Sequence, residues 1–263
     1  RAAGDALYVV VDDGLVRLEN SGGAPEYIHT TRPLDIVATE DAVFFAEAGL
    51  WRVWLDGSPP SKLIDVDVRG LAADDGWVYY VNGPPDTIDR VPPQGGTPQV
   101  VAQLDGWPDV MIADGGYVYW LDGSDKSIAR APGSGGAPEP VVTDVDDIDD
   151  FVFVGTELHY IAAERLMKDV PAATPQLVLS PFGSAERITL DGEWLLVVGD
   201  QLYGLQLAKG YVSTISEDSS VYDFVADENY WYWSSLSPTP GIVWRARRCA
   251  NNPARGAKRR RPA

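Results

Sequence analysis

The strongest constraint on the fold of this chain is an internal repeat of 35 to 40 residues. Its marker is a pair of apolar or aromatic residues in a short alternating strand. The seven copies of the marker are Tyr8-Val9, Phe44-Phe45, Tyr79-Tyr80, Tyr119-Trp120, His159-Tyr160, Leu195-Leu196 and Tyr232-Trp233. The second members are spaced by 36, 35, 40, 40, 36 and 37 residues. Repeats of this length are typical of propeller blades that have four strands.

Each copy presents the same order of segments. An apolar inner strand is followed by a short turn, the strand with the marker pair, a third strand and, after a Gly/Pro turn, an outer strand. The third strand carries a cation in six copies, at Arg17, Arg52, Arg90, Arg130, Lys168 and Arg245. Regular turns without a helical period indicate an all-β fold. Four antiparallel strands per copy predict a β-propeller.

The number of middle hairpins predicts seven blades, with six as the alternative. The first copy shows no inner strand and the seventh shows no outer strand. We therefore expect one propeller domain over residues 1–248, in a natural protein that extends N-terminally beyond Arg1. Residues 249–263 form a basic tail that we expect to be disordered, since it has no apolar pattern. Three roles of the tail remain as alternatives. It contacts an anionic lipid or nucleic acid, it docks on the acidic body, or it is a solvated segment without a specific role. Its Cys249 is expected to be inert.

Three segments carry a family resemblance: YVYWLD (117–122), WVYYVN (77–82) and YWYWSS (230–235). With the preceding IAD or VAD and the following I-x-R-x-P, they resemble bacterial tandem-repeat propellers of the YWTD-type, TolB-like and NHL kinds. The resemblance covers residues 5–248. It implies a periplasmic, cell-surface or secreted protein, often lipid-anchored, that acts as a binding module or sensor. No copy has the Thr of the motif, and the fifth and sixth copies have drifted, so no ligand site is carried over.

The charge of the chain narrows the choice of partners. The net charge is −18, and residues 1–244 hold 13 basic and 39 acidic residues, a net charge of −26. Such an acidic body repels phosphate backbones, so we do not expect the propeller to bind nucleic acid. It attracts cations and basic partners instead. No apolar run reaches the roughly 18 residues of a membrane span. We expect a monomer.

Ligand binding is expected at the channel rim, where the inner strands of a propeller begin. The candidate residues there are Asp35, Arg69, Trp107, Asp109, Asp122, Asp125, Asp149, Asp150, Glu186, Tyr222 and Asp223. Trp107 is the candidate for stacking on a ligand. The carboxylates suit a cation, a sugar or a basic peptide. The alternative is a solvated rim on a very acidic protein.

No motif of an enzyme is present. The chain lacks G-x-S-x-G and H-E-x-x-H, and His29 and His159 stand alone, which predicts structural roles for both. The run TDVDDIDD (143–150) lacks the Gly and the final Glu of an EF-hand loop. We therefore expect no cofactor, with calcium bound by these carboxylates as the alternative. We therefore predict a non-catalytic binding or sensor propeller that recognises a protein, peptide or glycan. The alternative is a metal-dependent enzyme of the lactonase or lyase type, with its site at the channel centre.

Overall fold

The computed structural model describes residues 2–3, 6–21, 23–74, 76–84, 86–123, 126–143, 145, 147–169, 176–179, 185–217, 221–226, 230–235 and 242–247. Over these ranges the chain forms 27 β-strands and no helix. It divides into two compact units, Arg1–Asp144 and Val145–Ala263. Residues 248–263, including Cys249 and the basic cluster, lie outside the described residues.

The first unit holds four sheets of four strands each. Their strands are β1 (Ala2–Ala3), β2 (Ala6–Val11), β3 (Gly14–Glu19) and β4 (Glu26–His29); β5 (Asp35–Ala38), β6 (Ala42–Ala46), β7 (Leu50–Trp54) and β8 (Ser61–Ile64); β9 (Val68–Ala73), β10 (Val78–Asn82), β11 (Thr87–Val91) and β12 (Gln99–Gln103); β13 (Pro108–Asp114), β14 (Tyr117–Asp122), β15 (Ile128–Pro132) and β16 (Glu139–Val142). We number these sheets blades 1 to 4.

The second unit holds blades 5 to 7. Their strands are β17 (Ile148–Val154), β18 (Glu157–Ala162), β19 (Arg165–Lys168) and β20 (Gln176–Leu179); β21 (Arg187–Asp191), β22 (Trp194–Val198), β23 (Leu202–Gln206) and β24 (Tyr211–Ser216); β25 (Val221–Ala226), β26 (Tyr230–Ser235) and β27 (Ile242–Arg247). Blade 7 shows three strands within the described ranges.

Every blade is an antiparallel meander in chain order, so the fold is a β-propeller with seven blades, and this prediction is confirmed. Blade 1 differs from the expectation that its inner strand is missing, because Ala2 pairs with Leu7 and Ala3 with Ala6. Two alanines carry no alternating pattern, so this strand cannot be recognised from its residues alone. The extent of a single domain over residues 1–248 remains a prediction.

Both members of the marker pair Tyr79-Tyr80 are buried because blade 3 packs against blade 2 on one face and against blade 4 on the other. Tyr79 is 1% and Tyr80 is 0% exposed. Tyr80 packs with Phe44 of blade 2, whereas Tyr79 packs with Trp120 of blade 4. Successive side chains of a strand point to opposite faces, so an adjacent pair serves two interfaces at once. The marker is therefore a packing element of the blade.

The strand register corrects the marker pair of the sixth copy. The first member of the pair faces the third-strand cation in the other blades, as in Tyr79↔Arg90 and Tyr119↔Arg130. In blade 6 this position belongs to Leu196, which faces Gly204. The pair is thus Leu196-Val197, and the prediction Leu195-Leu196 is wrong by one residue.

The third-strand cation of blade 3 links strands within its blade. The Arg90 guanidinium lies 3.8 Å from the centroid of the Trp77 ring on the second strand. It also donates to Gln99 Oε1 on the outer strand, at 2.8 Å. Such stacking contributes about 0.5–1 kcal/mol at exposed sites. The repeated cation therefore has a structural use, across three strands.

The Gly/Pro turns have the geometry that the sequence predicts. Gly57, Gly95 and Gly135 have φ of +87°, +91° and +100°, which favour glycine. The N–H groups of Gly95 and Gly135 each donate to the carbonyl of the proline three residues earlier, at 2.8 Å. These glycines therefore close the hairpin between the third strand and the outer strand.

Candidate functional site

The inner strands of blades 2, 3 and 4 each begin with an irregularity beside an exposed side chain. In blade 4, Asp109 is the extra residue between the pairs Pro108↔Asp122 and Val110↔Leu121. In blade 3 the register shifts beside Arg69, at Gly70 with φ +53°. In blade 2, Leu34 N–H donates to the Ala46 carbonyl at 2.8 Å, although Asp35 already faces Ala46. Bulges of this kind re-aim side chains and are frequent beside functional sites.

The second unit repeats this arrangement. Asp149 is the extra residue in blade 5, and the backbone of Tyr222 takes the same position in blade 7. In blade 6, Glu186 N–H donates to the Val198 carbonyl, which Arg187 also faces. We call these positions the bulge row of each unit: Leu34, Arg69 and Asp109 in the first, and Asp149, Glu186 and Tyr222 in the second. The five whose side chains are described are exposed.

Two predicted ligand carboxylates join adjacent blades. Asp35 Oδ1 accepts the N–H of Ile36, and its Oδ2 accepts the N–H of Leu71 on the next blade, both at 2.7 Å. Asp150 accepts the N–H groups of Phe151 and Ile188 in the same way, at 2.8 and 2.9 Å. Both oxygens of each carboxylate are therefore engaged by backbone. This geometry ties the inner strands together just beneath the bulge rows.

Among the predicted residues, Trp107 lies beside an arginine of the preceding blade and against a loop glycine. Its half-buried ring lies 4.3 Å from the Arg69 guanidinium of the preceding blade. Arg69 also forms an ion pair with Asp67, at 3.1 Å. A Cβ added to Gly83 would lie 2.5 Å from the Trp107 ring, and 3.6 Å from Asp86, so the ring rests on bare backbone. We call these residues the Trp107 cluster.

A buried carboxylate lies next to the Trp107 cluster along the chain. Asp89 is 5% exposed and accepts hydrogen bonds from Asn82 Nδ2, at 3.0 Å, and Thr87 Oγ1, at 2.9 Å. Both donors are neutral, and Asn82 immediately precedes Gly83. A buried carboxylate with neutral partners keeps a strong local field. Asp89 lies in β11, the strand that follows the loop on which the Trp107 ring rests.

The other predicted residues are placed as follows. Asp109 forms an ion pair with Lys126, and Asp122 ends β14 directly opposite Pro108. Asp223 accepts the N–H of Phe224 at 2.9 Å and lies 3.5 Å from Arg187. Asp125 and the side chain of Tyr222 lie outside the described residues.

The sequence reasoning missed three charged residues at these positions: Asp67, Lys126 and Arg187. Asp67 and Lys126 lie in loops, whose contacts no strand period reveals. With the sixth marker pair placed one residue too early, Arg187 falls outside the predicted rim positions. Trp194 was an available signal, since it precedes the first marker residue by two positions, as Trp77 and Tyr117 do.

The two histidines lie within the packing of single blades or blade pairs. His29 lies 5.1 Å from the Phe45 ring and 3.2 Å from Glu47 Oε2. His159 is 4% exposed, and burial lowers its pKa. Within the described ranges no group of three or more His, Cys, Asp or Glu side chains is arranged to hold a metal ion. In the same ranges no helix is long and apolar enough to cross a membrane.

Comparison with known proteins gives structural matches alone. No family model matches this chain, and no curated protein does. A chain of a nidogen/laminin complex is 16% identical with a TM-score of 0.60, over 80% of this chain and 93% of that one. The extracellular domain of the putative one component system BT4673 from B. thetaiotaomicron is 13% identical with a TM-score of 0.67, over 97% and 44%.

The matches also include an enzyme. The dihydro-heme d1 dehydrogenase NirN, in complex with DHE, is 13% identical with a TM-score of 0.68, over 100% of this chain and 65% of that chain. At these identities the matches show the propeller fold. Because one fold serves both binding proteins and an enzyme, the function has to be argued from the site.

Proposed function

We propose that this chain is a non-catalytic binding or sensor propeller, which recognises a protein or peptide segment, or a glycan, at its bulge rows. The observation that carries the proposal is the contrast within the repeat. Packing positions recur from blade to blade, whereas the bulge row places a leucine, an arginine and carboxylates at equivalent outward positions. Varied side chains on a rigid scaffold are the usual form of a recognition surface.

The charge favours a basic ligand. Asp109, Asp149 and Glu186 belong to the bulge rows, and residues 1–244 carry a net charge of −26. Complementary charge increases association rates and selects partners. The nidogen/laminin complex is a protein assembly and the BT4673 match is an extracellular domain, which supports a protein partner and an exported location for this chain.

Binding of a panel of basic peptides and glycans by the full chain tests the proposal. We expect Asp109→Asn and Asp149→Asn each to weaken the binding of basic peptides about two- to fivefold, as for exposed ion pairs. The matched control is Glu139→Gln and Glu157→Gln, which remove exposed carboxylates away from the bulge rows. Equal losses of affinity in both sets would mean that the net charge alone causes the effect. Unchanged binding in the first set would mean that the bulge rows do not bind the peptide.

A further inference from the structure

The contact between Arg69 and Trp107 resembles a binding site for a guanidinium group, in which Arg69 is the bound group. The guanidinium lies over the indole at 4.3 Å and binds the Asp67 carboxylate at 3.1 Å. A planar cation between an aromatic face and a carboxylate is the geometry by which proteins bind arginine side chains. Here the chain supplies the arginine itself.

Trp107 is exceptional in the repeat. Equivalent positions in blades 3 and 5 hold Asp67 and Asp147, and all three backbone carbonyls accept an N–H from the loop after the second strand. The scaffold therefore does not require an indole at this position. The aspartates show that a polar residue satisfies the same local geometry.

The surroundings of the indole are suited to a cation. Gly83 lets the ring lie directly on backbone, and the Asp86 carboxylate adjoins the same glycine. Asp89 is buried nearby along the chain with two neutral partners. Arg69 is the residue that can leave, because about half of its side chain is exposed and it is held by Asp67 and the ring.

We propose that the Trp107 cluster binds an arginine side chain of a basic peptide, which displaces Arg69 from the indole. This inference rests on the proposed binding function and names its ligand chemistry. We call Arg69 the placeholder, because in the free protein it occupies the place on the indole that the arginine of the peptide takes in the complex. It keeps the site closed to weakly competing cations and lowers the apparent affinity by the fraction of molecules in which it is bound.

The test measures binding of a fluorescein-labelled tri-arginine peptide by the full chain, beside tri-lysine and tri-glutamate peptides. We expect Arg69→Ala to bind tri-arginine about fivefold more tightly, as release of an exposed cation–π contact implies. Arg69→Lys, which keeps the charge but stacks less well, should lie between wild type and Arg69→Ala. Trp107→Leu should abolish the preference for arginine over lysine.

The matched control is Arg90→Ala. Arg90 also stacks on a tryptophan in blade 3, at 3.8 Å, and removing it changes the net charge by the same amount. We expect less than half of the gain seen with Arg69→Ala. Melting temperatures of all variants identify any loss of folding.

The outcomes separate the two proposals. Tri-arginine binding that Asp109→Asn weakens but Arg69→Ala fails to improve overturns the placeholder and leaves the bulge-row function standing. The placeholder is also overturned if Arg69→Ala binds tri-arginine more weakly than wild type does. The same holds if wild type binds tri-glutamate more tightly than tri-arginine. Absence of binding of any basic peptide to wild type and to all variants contradicts the placeholder, and absence of binding of the basic peptides and the glycans alike contradicts both proposals.

Discussion

At the scale of single residues, the same residue type serves two purposes in this chain. Asp35 and Asp150 point inward and accept two backbone N–H groups each, whereas Asp109 and Asp149 stand one position earlier in the repeat and point outward. The difference comes from the bulge, which places consecutive residues in different surroundings. A carboxylate in the inward position stabilises the contact between adjacent blades.

Removal of the Asp35 carboxylate should destabilise the first unit. Asp35→Ala leaves the Ile36 and Leu71 N–H groups without their acceptor, and we expect a loss of about 2 kcal/mol in the free energy of unfolding. Asp35→Asn keeps one acceptor oxygen and should lose about half of that. Urea unfolding measures both. Asp105→Ala, at an exposed loop residue, is the control and should change stability by less than about 0.5 kcal/mol. A loss in Asp35→Ala no larger than in this control would refute the structural role.

At the scale of elements, a ladder of side chains across the strands recurs in several blades. A ring on the second strand, a cation on the third and an acceptor on the outer strand recur, as in Tyr119, Arg130 and Glu139. Blade 5 uses His159 opposite Lys168. Blade 6 has Gly204 instead, and a Cβ there would meet Ile215 at 3.0 Å and Trp194 at 3.2 Å, so these two side chains leave no room for a longer residue.

The ladder of blade 5 should make stability sensitive to mild acid. Burial lowers the pKa of His159; the Glu157 carbonyl and carboxylate oppose this shift, and Lys168 adds to it. In the unfolded chain His159 takes up a proton near pH 6.5, at which the folded state still resists protonation. The unfolded state then binds more protons, so the free energy of unfolding falls as the pH drops below about 6.5.

The measurement compares wild type with His159→Phe at pH 7.5 and pH 5.5 by urea unfolding. Phenylalanine already occupies the equivalent position in blade 2, at Phe44. Wild type should lose more stability than the variant between the two pH values. An equal loss in both proteins would mean that His159 does not contribute to the acid sensitivity.

At the scale of the whole molecule, the net charge of −18 opposes the compact state at neutral pH. The ion pairs described above are mostly exposed, and exposed pairs contribute about 0–1 kcal/mol each. We therefore expect general repulsion among the carboxylates to outweigh them. The same repulsion keeps the molecule apart from other acidic molecules and favours basic partners.

Salt should accordingly stabilise the protein. We expect the melting temperature at pH 7.5 to be higher in about 0.15 M sodium chloride than in about 0.01 M, because the screening length shortens from about 30 Å to about 8 Å. Circular dichroism at the two concentrations measures it. Choline chloride at matched ionic strength distinguishes screening from sodium binding at carboxylates, because it keeps the anion and replaces sodium by a cation that carboxylates coordinate poorly. A lower melting temperature in salt would show that attractive pairs dominate instead.

The repeat determined the fold from the sequence alone, because a period of 35 to 40 residues with paired buried positions has few other solutions. It also located the positions that packing leaves variable, such as Arg69 and Asp109. Only the tertiary structure decided what those residues do. A bulge separates Asp35, which binds backbone, from Leu34, which is exposed, and contacts across loops place Arg69 on Trp107 and Lys126 on Asp109. Strand periods record which face a residue takes, whereas partners from other blades and loops depend on how the sheets are packed.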